Sequence, residues 1–156
     1  MEIAVLGLGC FWGPEIKFSK LEGVIKTEVG YCGGDSKETT YKEVCTGNTN
    51  HAEVVKLDFD PEIISYEKIL DFFFEIHDPT TLNSQGPDFG TQYRSEIFYL
   101  NDKQKKIEKI VVNIGAAKEI LTTVANGKFL RAINIAIKAI NPNKHLKKCK
   151  PALFVR

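Results

Sequence analysis

The chain has 156 residues, 43% of them hydrophobic and 26% charged, with a formal net charge of +1. That size fits one globular domain with its own core, and the near-zero charge excludes the strong field that recruits nucleic acid or anionic membrane. No apolar run approaches the length of a membrane span.

Taken in chain order, residues 2–8 (EIAVLGL) are short, apolar and β-branched, and predict a buried strand. Leu8-Gly9-Cys10 has the outline of a lipoprotein cleavage site, but no basic n-region precedes it, Glu2 has the wrong sign and the apolar run is too short. A cytoplasmic protein is expected. A helix is predicted from Pro14 to Leu21, with Pro near its first turn and Gly23 after its end. Residues 24–31 (VIKTEVGY) read as a second strand, followed by the turn-rich Gly33-Gly34-Asp35. Residues 35–50 are polar, and their YKEVC suffices for one helical turn.

HAEVVKLDF, residues 51–59, is the clearest half-buried strand. Residues 65–77 (SYEKILDFFFEIH) predict a helix capped by Ser65, with an apolar stripe of Tyr66, Ile69, Leu70, Phe73 and Ile76. Asp78-Pro79 stops it. Residues 79–92 form a long loop, of a length that marks a functional or disordered segment. Residues 94–100 predict a strand. Asp102 is the expected cap of a helix bearing Ile107, Ile110, Val111 and Ile114, and residues 119–124 predict a further strand. Residues 127–156 give no clear pattern beyond a solvated basic tail at Lys147, Lys148 and Lys150. Strands alternating with helices predict an α+β fold. The expected form is a two-layer α/β sandwich with a mixed central sheet and a ferredoxin-like core, as a single catalytic domain over residues 1–156.

The four cysteines, Cys10, Cys32, Cys45 and Cys149, form no CxxC pair, so no structural zinc is expected. Cys10 lies between a strand and a helix start, where free backbone N–H groups and the helix dipole favour a thiolate. Flanking Gly9 and Gly13 permit unusual dihedrals. On position alone, a nucleophile and a core cysteine are equally good readings. Phe11 and Trp12 follow at once. Two adjacent large aromatics in a turn cannot both enter one core, so one or both can line an apolar wall.

Period-two alternation in residues 51–59 puts Glu53 on one face with Val55, Leu57 and Phe59, and turns Lys56 and Asp58 the other way. A carboxyl on an apolar face keeps its proton to higher pH and can act as a general acid; the competing reading is a still-wet strand start. GPDFGTQYRS contributes Asp88 and Tyr93, and Tyr41 is a second phenol that can donate to a bound polar atom. His51, His77 and His145 show no grouping spacing, which argues against a Cys–His pair or a metal site.

Together GCFWG (9–13), GYCGG (30–34), TYKEVCTG (40–47), HAEVVKLDFDP (51–61) and HDPTTLNSQGPDFGTQYRS (77–95) resemble the type A peptide methionine sulfoxide reductases, over roughly residues 3–125. The resemblance implies reduction of the S epimer of methionine sulfoxide, free or in oxidised proteins. It implies Cys10 as nucleophile, Glu53 as the acid, Tyr41 and Tyr93 as donors to the sulfoxide oxygen, Asp88 as a polar pocket residue, and Phe11 and Trp12 as the pocket for the substrate methyl. It further implies a Cys10 sulfenic acid, a disulfide with a second thiol, and an external dithiol reductant, commonly thioredoxin. No bound cofactor or metal, no nucleic acid and no membrane partner is expected, and the chain is expected to act as a monomer.

Beyond Asn126 the resemblance lapses. The family's F-x-x-A-E-D-Y-H-Q-x-Y segment is replaced by KFLRAINIAIKAINP, which keeps only Phe129 and Ala132. Cys149 is the first choice for the resolving thiol, ahead of Cys45 and Cys32. Two other functions stay open at this point: another thiol enzyme such as a peroxidase, and a non-catalytic sulfoxide-binding or redox-sensing member.

Overall fold

The structure is a computed structural model, and it describes residues 1–36, 38–107, 146–148 and 153–155. Its spine is strand β1 (Glu2–Leu8), an apolar segment flanked on both sides by other strands. Helix α1 (Trp12–Phe18) leads to β2 (Val24–Cys32), and the short α2 (Tyr41–Cys45) to β3 (Ala52–Phe59). Then come α3 (Tyr66–Ile76), the two-residue strands β4 (Ser84–Gln85) and β5 (Asp88–Phe89), a 3-10 turn at Thr91–Tyr93, and β6 (Ser95–Tyr99). Residues 102–107 are helical. Two short strands, β7 (Leu146–Lys148) and β8 (Leu153–Val155), complete the described elements.

The large sheet runs β7-β6-β1-β3-β2-β8, with β6–β7 parallel and the other pairings antiparallel. Its four inner strands have the order and βαββαβ connection of a ferredoxin-like core, and the sheet is mixed as expected. Lys147 and Lys148, in the segment where no element was expected, belong to β7 beside β6. A three-residue strand carries too little pattern to be seen in sequence.

The two crossover helices pack on one sheet face. Phe18 of α1 and Tyr66, Ile69, Leu70 and Phe73 of α3 are buried there against Leu6, Val55, Leu57 and Phe59. Val5, Cys32, Ala52, Val54 and Phe98 form a separate buried cluster of alternate strand residues. Hence β3 is buried on both faces at its start, and the clean alternation expected of it appears only toward its end. There Lys56 emerges beside Glu28 at 2.6 Å and Asp58 at 3.6 Å.

Local chemistry sets the helix ends. Ser65 Oγ accepts from the Lys68 N–H, capping α3 as predicted. Thr40 and Glu43 close a reciprocal capping box on α2, which lets five residues hold a helix. Helix α1 starts at Trp12 and ends at Phe18, earlier at both ends than the glycine and proline positions suggested. The cap of the 102–107 helix is Asn101, not Asp102: Asn101 Oδ1 accepts from the Gln104 N–H at 2.9 Å. Ile110, Val111 and Ile114, the strand predicted at 119–124, and Phe129, Ala132, His145, Cys149 and Lys150 lie outside the described residues.

The long 79–92 segment is not structureless. A small β4–β5 hairpin and the 3-10 turn occupy it, and its ends are tied at His77. His77 Nδ1–H donates to the Phe73 carbonyl, which leaves Nε2 to accept from Ser95 Oγ at 2.9 Å. That network needs a neutral imidazole. Burial pushes the His77 pKa down to about 4, against smaller opposing effects of the Phe73 carbonyl and the Asp78 charge. The unfolded chain takes up this proton near pH 6.5, so stability rises with pH across the interval between. Acidification from pH 7 to pH 5 should therefore destabilise the native protein more than His77→Gln, by about 1–2 kcal/mol in urea unfolding. An equal loss in both proteins would remove His77 as the cause.

Candidate active site

The turn after β1 builds the site. Gly9 has φ +90°, and a Cβ there would come within 2.5 Å of the Gln85 Cβ. A side chain at residue 9 is thus excluded by conformation and by space. Gln85 is itself held by both backbone groups of Asp78: Oε1 accepts from the Asp78 N–H at 3.2 Å, and Nε2 donates to the Asp78 carbonyl at 3.0 Å. The 78–93 segment therefore braces the turn that presents Cys10. Cys10 is partly exposed and free, directly ahead of α1.

Phe11 and Trp12 part company. Phe11 is buried in the core, whereas Trp12 is 65% exposed, with the rings edge to face at 5.6 Å. The Phe11 N–H donates to Glu53 Oε2 at 3.2 Å. This bond crosses from the cysteine turn to β3 and links two residues 42 positions apart.

Glu53 is 4% exposed and shares its face with Val55, Leu57 and Phe59, as the alternation predicted. Burial raises its pKa to about 6; the Phe11 N–H pulls the other way, and the Asp88 charge adds to the rise. A carboxyl so held is partly protonated near neutral pH. Asp88, on β5, is close enough that its charge also raises the Tyr93 phenol, after burial and Glu53. Tyr41 opens α2 and is exposed; a hydrogen bond with Cys45 is the first cause of its raised pKa, and the Cys45, Tyr93 and Glu53 charges add to it.

Glu53, Asp88, Tyr41 and Tyr93, drawn from three separate segments, thus lie within each other's electrostatic reach. Arg94 fastens two of those segments: Nη1 donates to the Thr91 carbonyl at 2.8 Å and Nη2 to the Asn50 carbonyl at 3.0 Å, while Nε pairs with Glu96. One guanidinium therefore fixes Tyr93 relative to the strand that carries Glu53.

Three side chains near this site are absent from the sequence reading of it. Gln85 and Arg94 are invisible because they act on backbone groups, which no side-chain pattern marks, and because what they brace, Gly9 and Asn50, is far off in sequence. Tyr31 closes the strand predicted at 24–31, and it is its packing, buried with its ring 5.9 Å from Phe11, that the sequence reading did not give. Neighbouring Cys32 faces the opposite side of the sheet, buried with Val54 and Phe98, so the glycine-rich turn does not fold it toward Cys10. Among the described residues, no three His, Cys, Asp or Glu side chains group to hold a metal ion.

A thiol at a helix start, a buried carboxyl with its pKa raised to about 6 and a pair of phenols on a ferredoxin-like sheet are groups that cysteine-based catalysis can use. Residues 2–146 match the family described as peptide methionine sulfoxide reductase. The chain is 89% identical over 112 residues to a peptide methionine sulfoxide reductase MsrA of Pelagibacter ubique (strain HTCC1062), covering 72% of this chain and 76% of that relative. It is 57% identical over 105 residues to the MsrA of Methanothermobacter thermautotrophicus, covering 67% and 62%. Methionine sulfoxide reductase A of Corynebacterium diphtheriae superposes with a TM-score of 0.74 at 36% identity, over 81% of this chain and 59% of that one.

The chain belongs to the peptide methionine sulfoxide reductase family. It is an oxidoreductase, and its reaction is the reduction of methionine sulfoxide. The alternative of a non-catalytic sulfoxide binder gains no support from these relatives.

Proposed function

We propose that the chain reduces the S epimer of methionine sulfoxide, free or within oxidised proteins, with Cys10 as nucleophile and Glu53 as acid. The hydrogen bond from the Phe11 N–H to Glu53 carries this reading, because it couples the cysteine turn to a buried carboxyl with a raised pKa.

The Cys10 sulfur attacks the sulfoxide sulfur while Glu53 delivers its proton to the sulfoxide oxygen. Tyr41 and Tyr93 donate hydrogen bonds to that oxygen as charge develops on it. The Cys10–substrate S–S bond forms as the S–O bond breaks, and the oxygen leaves as water with the protons of Glu53 and the Cys10 thiol. Water then attacks the Cys10 sulfur, the S–S bond breaks, methionine leaves, Glu53 recovers its proton, and Cys10 is left as a sulfenic acid. The substrate sulfur gains two electrons and the Cys10 sulfur loses them. Trp12 and the edge of Phe11 form the apolar wall for the substrate methyl, and Asp88 is a polar contact at the pocket.

A second thiol then condenses with the sulfenic acid, forming a disulfide and releasing water. Cys149 is our assignment for that thiol, and thioredoxin, a dithiol partner in a reducing cytoplasm, then exchanges the disulfide away. The enzyme acts as a monomer with one catalytic domain and no bound cofactor.

Turnover of each epimer of a blocked methionine sulfoxide, with dithiothreitol as reductant, tests the reading. The S epimer alone should react, and Cys10→Ser should abolish the reaction. Equal turnover of both epimers would overturn the pocket assignment, and peroxide reduction without sulfoxide reduction would favour a peroxidase.

Glu53→Gln should lower kcat/KM by roughly two orders of magnitude at pH 6, since glutamine can hold the oxygen but brings no proton. The raised pKa sets the sign of the pH effect. The acid form is lost as pH rises through about 6, so the advantage of wild type over the variant should shrink above that pH. A ratio constant from pH 5 to 8 would remove Glu53 as the acid. Cys149→Ser should keep dithiothreitol-driven turnover and lose most thioredoxin-driven turnover. Unchanged thioredoxin kinetics would pass the resolving role to Cys45.

A further inference from the structure

Tyr31 is used by nothing described so far, yet it has one of the most constrained positions in the site. It is 2% exposed, on a strand paired at that residue on both sides: to Glu53 of β3 and to Leu153 of β8. Directly paired residues of an antiparallel ladder put their side chains on the same face as nearest neighbours. The Tyr31 side chain is therefore a nearest cross-strand neighbour of Glu53. The same ring meets Phe11 at 5.9 Å, tilted by 50°, while Trp12 meets Phe11 edge-on from another side. Trp12, Phe11 and Tyr31 thus form an aromatic row from solvent to the acid, and the middle member supplies the N–H that bonds to Glu53.

Resting on the reading of Glu53 as the acid, we infer that Tyr31 is a positioning residue whose ring keeps the Glu53 carboxyl dry and holds Phe11 against it. The ring does so from a rigid strand, where a side chain cannot move aside as one on a loop can. Its phenol is unsuited to exchanging protons. Burial first, then the Glu53, Cys45, Tyr41 and Tyr93 charges, push it up to about 12, so it stays protonated through the working range. Two consequences of losing the ring oppose each other. Water admitted to Glu53 lowers its proton affinity, while a loosened Phe11 N–H raises it. Burial is the larger of the two causes on Glu53, so the net shift is downward.

The experiment compares Tyr31→Phe with Tyr31→Leu. The first readout is the titration of the Glu53 carboxyl in the resting enzyme, from the infrared carboxyl band that is missing in Glu53→Gln. The second is kcat and KM on the S sulfoxide with dithiothreitol. Tyr31→Leu should lower the Glu53 midpoint by about one pH unit and kcat several-fold, with KM within twofold. Tyr31→Phe should restore the midpoint to within 0.3 pH unit, by the rough precision of such titrations, and the rate to near wild type.

A Glu53 midpoint unmoved in Tyr31→Leu would overturn the inference. So would a Tyr31→Phe protein shifted by half a unit or more, roughly a threefold change in proton affinity, because the hydroxyl and not the ring would then be at work. The second arm decides the matter even if the leucine variant fails to fold. Because the titration needs no substrate, its failure is distinguishable from a failure of the sulfoxide assay.

Discussion

The bond from the Phe11 N–H to the Glu53 carboxylate is the join on which the site depends. A carboxyl buried on an apolar sheet face would ordinarily be expelled or neutralised without consequence. Here one backbone donor keeps it in place without cancelling the rise in its pKa, because burial outweighs the single hydrogen bond. The donor belongs to the residue after the cysteine. The cysteine and the carboxyl are thus set by one peptide group instead of by two independent side chains. An error in the position of the turn would move both together.

The rest of the molecule serves that join. Strand β1 delivers the turn at its end, paired on one side to β3, which carries Glu53, and on the other to β6, which follows Tyr93. The 78–93 segment closes over the turn through Gln85 and is moored at its base by a neutral His77 between Phe73 and Ser95. Arg94 locks the same segment to the approach of β3.

Periodicity made most of the scaffold legible in the sequence. Strands β1, β2, β3 and β6 and helix α3 carry patterns long enough to declare their type, and Ser65 and Pro79 mark their ends. Glu53 could be read as inward-facing from alternation alone, although the double burial of Ala52 and Val54 blurred the pattern. What stayed hidden has a common cause. The β4–β5 hairpin and the strands at 146–148 and 153–155 are too short to show a period. The Asn101 cap displaced Asp102 because both are good caps and tertiary contacts chose between them. Gln85, Arg94 and Tyr31 act across distances of tens of residues, set by register and not by neighbours in the chain. The roles proposed for Tyr41, Tyr93 and Asp88 come from the motif resemblance, since no local pattern could assign them.

Trp12 is the chain's single tryptophan, exposed to solvent and two residues from Cys10. All indole emission of this protein therefore originates at the mouth of the site, with no background from elsewhere in the fold. A sulfur atom changing its oxidation state nearby, or an apolar group settling against the indole, alters the surroundings of the only emitter present. This placement beside Cys10 makes the molecule its own optical reporter, readable in real time without label or coupled enzyme.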